Sequence, residues 1–129
     1  MARPRLLLVD DEPSLGDYLA RAATECGFDA EVTGDDREFR DSFARDRPEI
    51  VALDLGMPGM DGVELLRFLA DQQYASPVLI VSGHDRRVLE SAFRLGEALG
   101  LTMVGPLQKP VRLDELEIVL GRLRAGLGA

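Results

Sequence analysis

The chain has 129 residues, 46% hydrophobic and 29% charged, with a formal net charge of −8; this length suits one domain burying roughly two-thirds of its unfolded surface. No apolar run approaches the ~20 residues that span a bilayer, and an acidic balance without a Lys/Arg cluster argues against a surface for nucleic-acid phosphates. The single cysteine, Cys26, excludes an internal disulfide, fits a reducing cytosol and reads as a small core residue.

Apolar runs alternate with helical patterns along the whole chain. The first run, Arg5 to Val9, meets Asp10, Asp11 and Glu12 too soon to be a signal peptide. Leu15, Tyr18, Leu19, Ala22 and Cys26 then share one helical face, with Pro13 near the start and Gly27 just past the end. A weaker strand, Phe28 to Thr33, leads through Gly34 into a short polar helix carrying Phe39 and Phe43 and ending before Pro48.

Glu49 to Leu53 is the third run and stops at Asp54. The turn-rich "GMPGMDG" follows, and Val63, Leu65, Leu66, Phe68, Leu69 and Ala70 continue as a third helix. Pro77 opens the fourth run, Val78 to Val81, which ends at Ser82, Gly83 and His84; Leu89, Ala92, Phe93, Gly96 and Leu99 recur at helical spacing after it. Leu101 to Val104 is the fifth strand, and Leu113, Leu116, Val119, Leu120 and Leu123 mark an amphipathic last helix. Arg122 and Arg124 lie at its end, where positive charge is favoured. No linker, repeat or low-complexity segment interrupts the pattern. Residues 1–129 therefore read as one domain, with an ordered core over about 4–125 and a frayed tail at 126–129.

Short apolar strands separated by helices imply a parallel sheet with helices on both faces, a doubly wound α/β domain. In such sheets functional groups gather beyond the carboxyl ends of the strands. The first run ends in Asp10 and Asp11, the third in Asp54 and the fourth in Ser82, and the fifth is followed by Lys109 and Pro110. Carboxylates that converge need a counter-charge, and hard oxygen ligands suit Mg²⁺ together with a phosphate oxygen. An Asp so placed can attack phosphorus and form an acyl phosphate, with the lysine and hydroxyl stabilising the phosphoryl group. Asp54, alone at the end of the central run, is the candidate nucleophile. Taken singly, Asp10 to Glu12 and Ser82 also read as helix caps and Lys109 as a solvated cation. Complementary chemistry at successive strand ends outweighs those separate readings.

The segments "LLLVDDEPS", "VALDLGMPGMDG", "PVLIVSG" and "LQKP", in that order, closely resemble the receiver domains of bacterial response regulators in two-component and phosphorelay systems. The resemblance covers essentially the whole chain. It implies a flavodoxin-like doubly wound sheet of five parallel strands in the order 2-1-3-4-5 with five helices, an order for which receiver proteins are themselves the stock example. It further implies that Asp54 accepts a phosphoryl group from a sensor histidine kinase or phosphotransfer protein. Asp10, Asp11, Asp54 and the backbone carbonyl of Gly56 would hold Mg²⁺; Ser82 would hydrogen-bond the phosphoryl group and Lys109 would pair with it. Glu12 matches no ligand position and favours the start of the first helix. The Lys109–Pro110 peptide bond is expected to be cis, which an X-Pro bond allows cheaply.

Such a domain is a cytoplasmic signalling phosphoacceptor rather than a conventional enzyme, catalysing its own phosphorylation and dephosphorylation. Its output passes to a protein partner or an output domain, without contact to nucleic acid or membrane by the domain itself. The 129 residues correspond either to a complete single-domain regulator or to a fragment of a longer one. The stretch "LGEALGLTMVGPLQKPV" is similar to receivers found beside cyclic-di-GMP phosphodiesterase domains.

The chain departs from the family pattern in two respects, at Pro106 and at the pair of positions Gly56 and His84. Pro106 stands where many receivers carry Tyr or Phe; it has no ring to swing inward, and as a proline it should end the fifth strand or make it irregular. The signal would then travel through the loop after Ser82 or the fourth helix. Gly56 offers no side chain near Asp54, whereas His84 reads either as solvated or as reaching toward the phosphoryl site. Competing functions are a phosphorylation-independent pseudo-receiver, which typically loses an acid or the lysine, and a haloacid-dehalogenase-type phosphatase, which wants an acid where Gly56 stands. A dinucleotide site lacks its glycine-rich loop.

Overall fold

The structure is a computed structural model that describes residues 3–10, 12–54, 62–83 and 86–127, with only the backbone of 13–15. Strands β1 (Arg5–Val9), β2 (Asp29–Thr33), β3 (Ile50–Leu53), β4 (Pro77–Ser82) and β5 (Thr102–Gln108) alternate with helices α1 (Pro13–Glu25), α2 (Asp36–Arg45), α3 (Gly62–Asp71), α4 (Arg86–Ala98) and α5 (Leu113–Gly126). All strand pairs are parallel, in the order β2-β1-β3-β4-β5. The doubly wound sheet is therefore as the apolar pattern implies, and its strand order as the family resemblance implies.

Alternation along the strands divides the core into two layers, since successive side chains point to opposite faces. Leu7, Val9, Val51, Leu53, Val78 and Ile80 face Phe39, Phe43, Leu65, Leu66, Leu69 and Leu89 of α2, α3 and α4. Leu6, Leu8, Ala52, Leu79 and Val81 face Leu19, Ala22, Ala23, Leu116 and Leu120 of α1 and α5. Phe28, Cys26 and Leu123 extend this second layer, Cys26 as a half-buried thiol that burial and two nearby glutamates push up.

Three helices end in the same way before the next strand. At the end of α1 the amide of Gly27 donates to the carbonyl of Thr24 and that of Phe28 to Ala23; α3 repeats this with Gln73 and Tyr74, and α4 with Gly100 and Leu101. These are Schellman caps, in which the residue after the helix takes a left-handed conformation and the next packs back on the helix. Gly27 and Gly100 have φ of 99° and 90°, and Gln73 has 55°. Phe28 and Leu101, expected as the first residues of strands, are thus the buried closing residues of caps.

The fifth strand is longer than expected. It runs through Pro106, but its pairing passes from Leu79–Val104 to Val81–Leu107, so β5 carries one extra residue. Of the two outcomes expected at Pro106, irregularity is the one observed: an extra residue leaves the ladder and bends the strand without ending it. The Lys109–Pro110 bond is cis, as expected, and so is Gly105–Pro106.

At the opposite end of the sheet Arg5 clasps β1, β2 and α2 together. Its guanidinium donates to Glu31 Oε1 at 2.7 Å, to Ser42 Oγ and to the Asp46 carbonyl, while Ser42 donates to Glu31 Oε2 at 2.7 Å. Burial opposes ionisation of Glu31, but the hydrogen bonds from Arg5 and Ser42 and the charges of Arg5 and Arg45 outweigh it and hold the carboxyl below its usual value. Beside it, Phe39, Phe43, Phe68 and Tyr74 pack in mostly edge-on contacts, which suit the ring quadrupoles.

Candidate functional site

The carboxyl ends of β1, β3, β4 and β5 meet at one edge of the sheet. Asp10 follows β1 and Asp54 follows β3, and the two are 2% and 6% exposed. Carboxylates this buried need partners. Lys109, just after β5, supplies one to both: its Nζ lies 3.1 Å from Asp10 Oδ2 and 2.9 Å from Asp54 Oδ2. Burial alone would lower the Lys109 ammonium, but the hydrogen bonds and charges of Asp54 and Asp10 outweigh it and hold its pKa above the ordinary lysine value.

Backbone hydrogen bonds fix where these side chains originate. The Asp54 amide donates to the Val9 carbonyl at 3.2 Å, the Asp10 amide to the Thr33 carbonyl at 3.0 Å and the Lys109 amide to the Ser82 carbonyl at 2.9 Å. Ser82 is fully buried at the end of β4. Asp10 Oδ1 accepts the Glu12 amide at 3.0 Å, a local turn that orients the carboxylate. Glu12 occupies the N-cap of α1, with proline at the first position, but its side chain makes no capping hydrogen bond. The side chain contributes the favourable placement of negative charge at a helix start.

Asp10, Asp54, Ser82 and Lys109, separated widely in sequence, are thus gathered at neighbouring strand ends. Asp11, Gly56 and His84 lie outside the described residues. Two buried carboxylates against one ammonium leave excess negative charge, and hard oxygens of this kind suit Mg²⁺. Among the described residues no group of three or more His, Cys, Asp or Glu forms a metal cluster. The sequence reasoning missed Thr33, which is buried at the end of β2 with its carbonyl on the Asp10 amide. Its one signal in the sequence is a hydroxyl residue at the end of the second run, just before Gly34.

A family model described as the response regulator receiver domain matches residues 6–120. The response regulator MprA of Mycolicibacterium vanbaalenii is 35% identical over 121 residues, covering 94% of this chain and 49% of that protein. The transcriptional regulatory protein TrcR of Mycobacterium tuberculosis is 33% identical over 122 residues, covering 93% of this chain and 44% of that one. The chain thus spans about half the length of these curated relatives. Among solved structures, a response regulator from Colwellia psychrerythraea superposes with a TM-score of 0.83 at 29% identity, over 97% of this chain and 99% of that one. The Francisella response regulator 1452 receiver domain gives 0.80 at 26% identity, over 96% and 98%.

Proposed function

The chain belongs to the response regulator receiver domain family, and from that premise we propose that Asp54 is its phosphoacceptor, taking the phosphoryl group of a phosphohistidine on a sensor kinase or phosphotransfer protein. The observation that carries the reading is the double contact of Lys109 Nζ with Asp10 and Asp54. A lysine held between two carboxylates beside a buried serine supplies the cation and the hydroxyl that a phosphoryl group on Asp54 would pair with once Mg²⁺ offsets the excess negative charge.

In the transfer, a carboxylate oxygen of Asp54 attacks phosphorus, the phosphorus–nitrogen bond breaks, and the imidazole leaves with the electron pair and takes up a proton. Lys109 then pairs with the phosphoryl oxygens and Ser82 donates its hydroxyl to one of them. Mg²⁺, held by Asp10, Asp11, Asp54 and the Gly56 carbonyl, would screen the charge of the phosphoryl oxygens. The domain itself catalyses this transfer and the later hydrolysis, in which water attacks phosphorus and the Asp54 carboxylate leaves. Residues 1–129 act as one domain in this scheme.

Output passes to a protein partner or an attached domain. The named relatives include a transcriptional regulatory protein, which supports an attached output domain; a link to cyclic-di-GMP turnover rests on the fifth-strand motif alone. Pro106 offers no ring to report the state of Ser82, so the signal leaves through the segment after Ser82 or through α4. A phosphorylation-independent interaction module typically loses an acid or the lysine, whereas Asp10, Asp11, Asp54, Ser82 and Lys109 are all present.

The test is transfer of a labelled phosphoryl group from a phosphorylated histidine kinase or phosphotransfer domain. Label should move to the wild type, not to Asp54→Asn, and chelation of Mg²⁺ should stop it. Label that persists on Asp54→Asn, or never reaches the wild type, would overturn the reading.

A further inference from the structure

We propose that the corner between β2 and α2 acts, through Thr33, as the positioning device for Asp10, setting how tightly the site holds a divalent cation. The proposal rests on the reading of Asp10 as a metal ligand. Thr33 is 3% exposed, and its hydroxyl donates to the Leu8 carbonyl at 2.8 Å while its own carbonyl accepts the Asp10 amide at 3.0 Å. It therefore grips β1 on both sides of Val9, whose carbonyl is held from the other strand by the Asp54 amide. Leu8, Val9 and Asp10 are pinned in succession, and the last pin is the one that fixes the origin of the Asp10 side chain.

That pin sits where a ladder would fray. Pairing of β1 with β2 ends at Val9–Thr33, and beyond it the chain turns through Gly34. Two features stiffen the turn: Asp35 Oδ1 accepts the Glu38 amide at 2.8 Å, and Glu38 Oε2 accepts the Gly34 amide at 3.4 Å. The Asp35 N-cap and the Glu38 contact to Gly34 anchor the start of α2, so the corner is held on one side by the helix cap and on the other by the Thr33 hydroxyl. Mg²⁺ demands near-ideal octahedral geometry, and partners that orient a ligand tune affinity without touching the metal. Thr33 is accordingly a positioning residue.

The test compares wild type, Thr33→Val and Thr33→Ser in the whole chain. Valine keeps the volume and the branched carbon and removes only the hydroxyl; serine keeps the hydroxyl. With no tryptophan in the chain, Mg²⁺ binding is followed by shifts of backbone amide resonances, alongside hydrogen exchange at the Asp10 amide without metal. Thr33→Val should bind Mg²⁺ roughly fivefold more weakly, the scale of one neutral hydrogen bond. Its Asp10 amide should exchange faster by a similar factor, and Thr33→Ser should restore both readouts. Wild-type binding and exchange in Thr33→Val, or equal losses in Thr33→Ser, would overturn the proposal. Asp10→Asn separates the two levels: if it binds Mg²⁺ as tightly as wild type, the reading of Asp10 as a ligand fails, whereas the exchange result judges the Thr33 pin by itself.

Discussion

Lys109 is tied to Ser82 through its backbone, its amide donating to the Ser82 carbonyl at 2.9 Å, while its ammonium reaches Asp54 at 2.9 Å. The end of β4 and the acidic pair Asp10 and Asp54 are thereby joined by one residue. A displacement of the Ser82 backbone pulls on the same residue that balances the acidic pair.

Removing that balance should be costly. Lys109→Met leaves Asp10 and Asp54 buried against each other, and breaking a buried pair from one side costs about 3 kcal/mol. Urea unfolding at pH 7 should show a loss of that order, partly recovered when Asp10→Asn is added. Because Lys109 holds its proton more tightly in the folded chain, its contribution is complete below the unfolded lysine value of ~10.4 and is lost as pH rises through the folded one. The variant should therefore lose less stability than wild type on the alkaline side.

The Arg5 clasp has the opposite pH dependence. Glu31 has a lowered pKa in the folded chain, so its contribution is present above the unfolded value of ~4.3 and disappears as pH falls through the folded one. Its side chain is 35% exposed, and screening by water limits the effect to about 1 kcal/mol. Glu31→Gln should be that much less stable at pH 7, and the two unfolding curves should converge at acid pH.

Gly105 should resist substitution. Its φ is +92°, and a Cβ there would lie 3.0 Å from the Leu107 amide nitrogen and 3.3 Å from the Ile80 carbonyl oxygen. Backbone cannot move aside as a flexible side chain can, so Gly105→Ala should cost about 2 kcal/mol in thermal or urea unfolding. Gly121→Ala, where nothing lies within 4 Å, is the control and should be neutral or stabilising.

The residues that end the strands were legible because burial and the parallel crossover rule leave little choice. A four-residue apolar run such as Ile50–Leu53 must cross the core, and whatever follows it must emerge at the sheet edge. Asp10, Asp54 and Ser82 follow from that argument, whereas Lys109, five residues past the expected end of the fifth run at Val104, follows from the motif "LQKP". The extension of β5 through Pro106 was not legible, because it depends on how an extra residue is absorbed against β4, a property of two strands together. The same holds for Arg5 and Glu31, which sit in different strands and meet only once β1 and β2 pair with Arg5 opposite Asp29. Phe28 and Leu101 misled for a third reason: an apolar residue that closes a Schellman cap is as buried as one that begins a strand.

The most direct test of the central claim is intact mass measurement after incubation with Mg²⁺ and a small phosphodonor, quenched in acid to preserve an acyl phosphate. Wild type should gain the mass of one phosphoryl group and Asp54→Asn should gain none. Equal gain in both proteins, or no gain in the wild type with either a small donor or a phosphorylated kinase, would contradict the account.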